Sequence, residues 1–192
     1  LPEKAQEVLK LAACIGNQFD LATLSIVCRS SEVEITNELW SVLQAGLIIP
    51  ITEIYRLFES EQIKDNPPQF EIEYKFLHDR IQQAAYCLIS PEQQQSIHLF
   101  VARSLLQHYS PASLQEKIFV VVQQLNLGRA FIEDIEEKLA AAQLNLQAGN
   151  KALLSTAYEA ALDYFSIGRS LLAESDWQKN YDLCLELHLK LM

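Results

Sequence analysis

Apolar residues recur at helical spacing from the start of the chain. Ala5, Val8, Leu9, Ala12 and Ile15 fall on one face before Gly16, and Pro2 followed by Glu3 suits a helix entry, where the missing amide costs nothing and a carboxylate meets the positive end of the dipole. Asp20 is placed to cap a second, short helix carrying Leu24, Val27 and Cys28 on one side. Ser31-Glu32-Val33-Glu34 spells a capping box ahead of Ile35, Leu39, Val42 and Leu43, and Gly46 supplies the stop. The period then changes. Leu47-Ile48-Ile49-Pro50-Ile51 reads as a short strand that Pro50 keeps at a sheet edge. Residues 58–69 are polar and hold Asp65-Asn66-Pro67-Pro68, a loop or turn. Phe70, Ile72, Tyr74 and Phe76 alternate with Glu71, Glu73 and Lys75, the period of a half-buried strand. Three helices and then a hairpin with a long polar tip is the order of a winged-helix domain.

From His78 onward the pattern is helical only. Asp79 is expected to cap a run with Ile81, Ala84, Ala85 and Leu88 inward. Ser90-Pro91-Glu92-Gln93 and Ser113-Leu114-Gln115-Glu116 are expected to open two more helices, with Gly128 closing the second. Further starts fall near Asp134, at Thr156-Ala157-Tyr158-Glu159 and at Asp176, giving six helices joined by short links in an antiparallel stack. Gly149, Ala161, Phe165 and Gly168 sit at the spacing that tetratricopeptide repeats use where two helices cross closely. The aromatic expected near Ala152 and the proline expected near Ala173 are missing. Any tight helix pair would place small residues similarly. The expected architecture is therefore mainly α: a winged-helix subdomain with a small hairpin over residues 1–89, then a tetratricopeptide-like antiparallel arm over 90–192.

Composition narrows the class. The 192 residues are 49% hydrophobic and 21% charged, which suits a folded protein and excludes wholesale disorder. No apolar run approaches the ~18 residues of a membrane span, and no secretory leader opens the chain, so a cytoplasmic protein is expected. The ends, Leu1-Pro2-Glu3 and Leu189-Lys190-Leu191-Met192, fall inside helical patterns, as in a segment of a larger protein. A formal net charge of −10 disfavours nucleic acid and anionic membrane surfaces as partners. The winged helix invites a DNA-binding reading, yet Ser31 to Ala45 carries Glu32, Glu34 and Glu38 and no basic residue, and the hairpin tip adds Glu59, Glu61 and Asp65 against Lys64.

Chemistry-bearing motifs are sparse. There is no phosphate-binding glycine loop, no nucleophile elbow and no H-E-x-x-H; the four histidines are too scattered for a local zinc site. Cys14, Cys28, Cys87 and Cys184 form no C-x-x-C pair and read as small hydrophobes. Leu77-His78-Asp79-Arg80 has the letters of a kinase catalytic loop in the wrong order. The acidic cluster Glu133 to Glu137 suits a helix start. Catalytic and metal-ligating residues are thus expected to be absent. The most specific cluster is Tyr74 to Tyr86, where His78 falls at a strand-to-helix junction. Either His78 completes the hairpin while Asp79 caps the helix, which spacing alone favours, or the ring points out of the fold.

The order of elements ending in Phe76-Leu77-His78-Asp79 resembles the winged-helix subdomain of STAND-type signalling ATPases, which carry a Met-His-Asp motif at this place, with Leu77 here in place of Met. Nearly the whole chain is similar to a stretch of large cyanobacterial multi-sensor kinases: Leu1 to Asp20, Lys75 to Tyr86, Leu125-Asn126-Leu127-Gly128, Ala142 to Ala152 and Ser155-Thr156-Ala157-Tyr158 carry the likeness. The resemblance implies a place after a P-loop ATPase core in a protein that joins a Ser/Thr kinase, an ATPase, a helical arm, a GAF sensor and often a histidine kinase. It implies that His78, oriented by Asp79, reaches the diphosphate of nucleotide held by that core. ATP or ADP with Mg would belong to the parent; the fragment itself would hold no cofactor. Expected partners are the adjacent ATPase core, other domains of the same chain and other signalling proteins. The competing expectations are a DNA-binding transcription regulator and a scaffold indifferent to nucleotide.

Overall fold

A computed structural model of the chain describes residues 1–51 and 72–192. They divide into two compact units, Leu1–Ile97 and His98–Met192. The fold is mainly helical, with one small antiparallel sheet. The polar stretch 58–69, and Phe70 and Glu71 of the expected strand, lie outside the described residues.

The first unit begins with α1 (Glu3–Ile15), β1 (Gln18–Asp20), α2 (Leu21–Cys28), α3 (Glu32–Gln44) and β2 (Ile48–Ile51). After the undescribed segment come β3 (Glu73–Phe76) and α4 (Asp79–Cys87). Asp20 caps α2 by accepting the Thr23 amide and hydroxyl, at 2.6 and 2.8 Å. The capping box of α3 closes in both directions, Ser31 Oγ accepting from the Glu34 amide and Glu34 Oε2 from the Ser31 amide. Gly46, at φ +66°, ends that helix: its amide donates to Leu43 O and the next amide, Leu47, to Val42 O. This is the left-handed stop that glycine fits without a Cβ clash. β3 is the central strand, flanked by β1 and by β2, so Pro50 does lie on an edge strand. β1 is a strand that the alternation of the sequence does not announce.

Aromatic packing ties β1 to β3. Phe19 stacks on Tyr74 with ring centres 5.9 Å apart and meets Phe76 edge-on at 5.8 Å. In the helices of the same unit Leu24, Ile35, Leu39 and Val42 are buried. Gln82 Nε2 donates to Ala13 O at 2.8 Å, tying α4 to a carbonyl near the end of α1.

α5 (Pro91–His108) contains the division between the units. The second unit continues with α6 (Pro111–Glu116), α7 (Ile118–Gly128), a 3-10 turn at Arg129–Phe131, α8 (Ile135–Leu154), α9 (Tyr158–Ser170), α10 (Asp176–Lys179) and α11 (Tyr181–Leu189). Eight helices thus follow His78, where pattern reading finds six, because two starts are misplaced by hidden breaks. Ser110, not Ser113, caps the helix before Ile118, with Pro111 at its first turn, and Lys117 begins α7 with no side-chain cap. Asp176 opens only a four-residue helix before Tyr181 starts the last one. Asp134 does cap α8, accepting from the Glu137 amide.

α8 and α9 run antiparallel, as the three-residue link demands: Gly149 lies against Phe165, and Gly168 against Asn145 and Ala142. α8 is also tied to its neighbours. Lys151 Nζ donates to Gln115 O and Glu116 O at 2.6 and 2.9 Å, a cation on the carbonyl end of α6, and lies 5.3 Å from the Phe119 ring centre.

Thr156 is not the start of α9. It is the left-handed residue that ends α8, at φ +58°, with its amide donating to Leu153 O and the next amide to Ala152 O. A β-branched residue there strains its own backbone by about 1–2 kcal/mol. Thr156→Gly is expected to stabilise the second unit by about 1 kcal/mol after glycine's greater unfolded-state freedom is subtracted. A rise in the urea midpoint for Gly, with Ala gaining less, checks this.

Candidate functional site

Local geometry fixes the backbone around Leu77-His78-Asp79-Arg80 while leaving its side chains outward. Phe76, almost fully buried, anchors the strand end, and the Leu77 amide donates to Leu47 O at 3.0 Å. His78 then takes extended backbone angles as the residue before α4, and its carbonyl accepts from the Ile81 amide at 2.9 Å. Leu77, His78, Asp79 and Arg80 are all exposed.

Of the two readings of His78, the capping one does not describe the structure. Asp79 is the first residue of the helix, not its cap, and the His78 side chain makes no capping bond. The sequence-expected pair is adjacent on the surface, but no hydrogen bond joins the His78 ring to the Asp79 carboxylate. What the site offers is an accessible imidazole on a rigid junction, able to donate to or accept from a group outside this unit.

The buried polar groups form a second feature, internal to the second unit. His98 Nδ1 is 2.6 Å from Gln124 Oε1. Asn126 and Asn145 exchange two amide hydrogen bonds of 2.9 Å, and Asn145 also donates to Ala141 O. All four residues are buried, and among the described residues every buried side-chain nitrogen and oxygen has a partner. Such a network specifies which helices pack together. Sequence reading missed it, although Gln124 and Asn145 stand at inward helical positions beside Val121, Val122, Ala141 and Ala142, and that placement is the available signal.

Burial lowers the proton affinity of His98 below its ordinary value of 6.5, a shift that the bond to Gln124 partly offsets. The sign follows from linkage. Below about pH 6.5 the unfolded chain takes up a proton that the folded site resists, so stability falls as pH drops through that value, while nothing is lost above it. The second unit should therefore have a lower urea midpoint at about pH 5.5 than at pH 7.5, and the drop should shrink in His98→Gln.

Burial pushes the Cys14 and Cys28 thiols up to about 12, so they are poor nucleophiles at neutral pH, and no disulfide joins any of the four cysteines. Among the described residues no three His, Cys, Asp or Glu side chains are grouped as metal ligands, and no helix is long and apolar enough to cross a membrane. A cavity of about 280 Å³ in the second unit is lined by Ile135, Lys138, Leu171, Leu172 and Asp176; the Asp176 carboxylate already accepts the Ala173 amide.

The chain is 30% identical, over 233 residues of alignment, to a hybrid signal transduction histidine kinase G of Dictyostelium discoideum. The alignment covers 99% of this chain and 7% of that protein. No family model matches the chain, and no solved structure matches it.

Proposed function

We propose, from a likeness to a signalling histidine kinase that runs the length of this chain, that it is a non-catalytic regulatory segment of a multidomain signalling kinase. The first unit acts as a winged-helix subdomain of the STAND type, and the helices after it form a tetratricopeptide-like arm. The arm presents surfaces to other domains of the same protein or to other signalling proteins. The two units couple the nucleotide state of an adjacent P-loop ATPase, with its ATP or ADP and Mg, to that arm.

The observation that carries the nucleotide half is the exposed His78 ring at the end of β3, held by a buried Phe76 on one side and α4 on the other. An imidazole so placed can donate to a phosphate oxygen of nucleotide bound elsewhere. Any contact made in only one state of the parent shifts its equilibrium by its own free energy. Three features support the assignment of the first unit: the order of helices, an antiparallel β2–β3 pair, and a third helix without basic residues. The same absence weighs against a DNA-reading role. The close α8–α9 crossing at Gly149 and Gly168 supports a repeat-like arm.

In the full-length kinase, His78→Ala is expected to speed release of a fluorescent ADP analogue severalfold. His78→Gln, which keeps a donor, should release it at an intermediate rate. ADP release unchanged in both variants would remove the sensor role.

A further inference from the structure

The cavity of about 280 Å³ in the second unit lies where the start of α8 meets the link between α9 and α10. Its walls are mostly apolar, with Ile135 from α8 and Leu171, Leu172 and Ala173 from the link. Two opposite charges border the same space, Lys138 from α8 and Asp176 from α10. They do not neutralise each other. Among the described residues the Lys138 side chain has no hydrogen-bond or ion-pair partner, and Asp176 has no ion pair.

Asp176 is fixed in place. The residue is 7% exposed; its Oδ2 accepts the Ala173 amide at 2.8 Å, and its own amide donates to Ala173 O at 3.1 Å. The other carboxylate oxygen, Oδ1, has no hydrogen-bond partner among the described residues, although every fully buried side-chain oxygen there has one. Oδ1 therefore keeps access to open space, and the space that Asp176 borders is the cavity. A mostly buried carboxylate with one open oxygen is matched by an N–H donor, best by a cationic one.

The two charges select the ligand. A fatty acid would satisfy Lys138 but bring its negative charge towards Asp176. An alkylamine would satisfy Asp176 and face Lys138 with like charge. A neutral hydrocarbon would take water from both and replace it with nothing. An ammonium and a carboxylate on one carbon, with an aliphatic tail, meet both charges and the apolar walls. The volume falls just under the ~300–1,000 Å³ of pockets that hold drug-sized molecules, so the ligand is small. We propose that this cavity binds a free aliphatic α-amino acid, its ammonium on Asp176 Oδ1, its carboxylate on Lys138 Nζ and its side chain against Ile135, Leu171 and Leu172. The site belongs wholly to the second unit and depends neither on His78 nor on nucleotide.

The test titrates this chain with L-leucine by calorimetry. Saturable one-to-one binding is expected, with Kd about 0.1–1 mM for so small a ligand. Isocaproate, which lacks the ammonium, isoamylamine, which lacks the carboxylate, and N-acetyl-leucinamide, which lacks both charges, should each bind at least about tenfold more weakly. Lys138→Met keeps the aliphatic stem and should weaken leucine binding about tenfold. Asp176→Asn keeps an acceptor for the Ala173 amide and should do the same. Circular dichroism checks that both variants fold; the Lys138 side chain bonds to nothing in the unit, so its variant and the ligand series decide the matter even where Asp176→Asn is unstable. The proposal is overturned by the absence of saturable heat up to about 20 mM leucine, by any of the three analogues binding as tightly as leucine, or by full affinity in Lys138→Met.

Discussion

Gly149→Ala is expected to lower the stability of the second unit by about 1–2 kcal/mol, although alanine is the better helix former. A Cβ at Gly149 would stand 2.3 Å from Phe165 Cε1 and 2.6 Å from Cδ1, far inside contact distance. The ring cannot swing aside, since Phe165 is 1% exposed and lies in a cluster with Ala142, Leu146, Ala152, Ala161 and Leu187. Helix propensity favours the substitution by about 1 kcal/mol, whereas forcing a methyl into a closed core costs about 1–3 kcal/mol and occasionally more. The steric effect wins. A double-mutant cycle isolates it. Phe165→Ala alone should cost about 3–5 kcal/mol; in that background the obstacle is gone, and Gly149→Ala should become stabilising by up to about 1 kcal/mol. Urea unfolding of the four proteins reads the sign directly. A Gly149→Ala loss of equal size in both backgrounds would mean that the close crossing of α8 and α9 is not where the structure puts it.

That crossing shows how much of the fold is legible in the sequence. Small residues at 149, 161 and 168 and an aromatic at 165 announce two helices in close approach, and Asp20, Ser31, Gly46 and Asp134 mark helix ends with their own side-chain or backbone chemistry. The misread ends share a physical cause. At Ser113 and Thr156 a hydroxyl residue stands near a helix boundary, but the first lies inside a turn already capped by Ser110 and the second takes the left-handed position that glycine usually fills. Hydroxyl residues signal a boundary without saying on which side of it they lie. β1 escapes notice for another reason. In Gln18–Asp20 only Phe19 is buried, so no alternation exists to be read, and its pairing with β3 depends on partners about 55 positions away along the chain.

The candidate site divides in the same way. The position of His78 after an alternating strand and before an amphipathic helix can be read from spacing; whether the ring caps, packs or faces solvent cannot, because all three use the same letters. Only the placement of Phe76 and the start of α4 decides it. The buried amides of Asn126 and Asn145 are harder still. Each looks like an ordinary polar interruption in its own helix, and their meaning appears only when the two helices are side by side.

Phe76→Ala is the substitution expected to damage the first unit most, by about 3–5 kcal/mol. The side chain is 1% exposed on the central strand, opposite Ile48 in register and edge-on to Phe19. Removing it leaves a cavity where helices and sheet meet. Two residues further on, His78→Ala removes an exposed ring that bonds to nothing in its own helix, so its stability cost should stay within about 0.5 kcal/mol. This contrast is what makes the functional experiment interpretable. Phe76→Ala should lower the melting temperature of the first unit and disturb every property that depends on its shape. His78→Ala should leave the melting temperature untouched, so that any change in nucleotide release belongs to the ring. If His78→Ala instead destabilises the unit as severely as Phe76→Ala, the imidazole is a structural part of the strand–helix corner, and a regulatory contact at this position loses its physical basis.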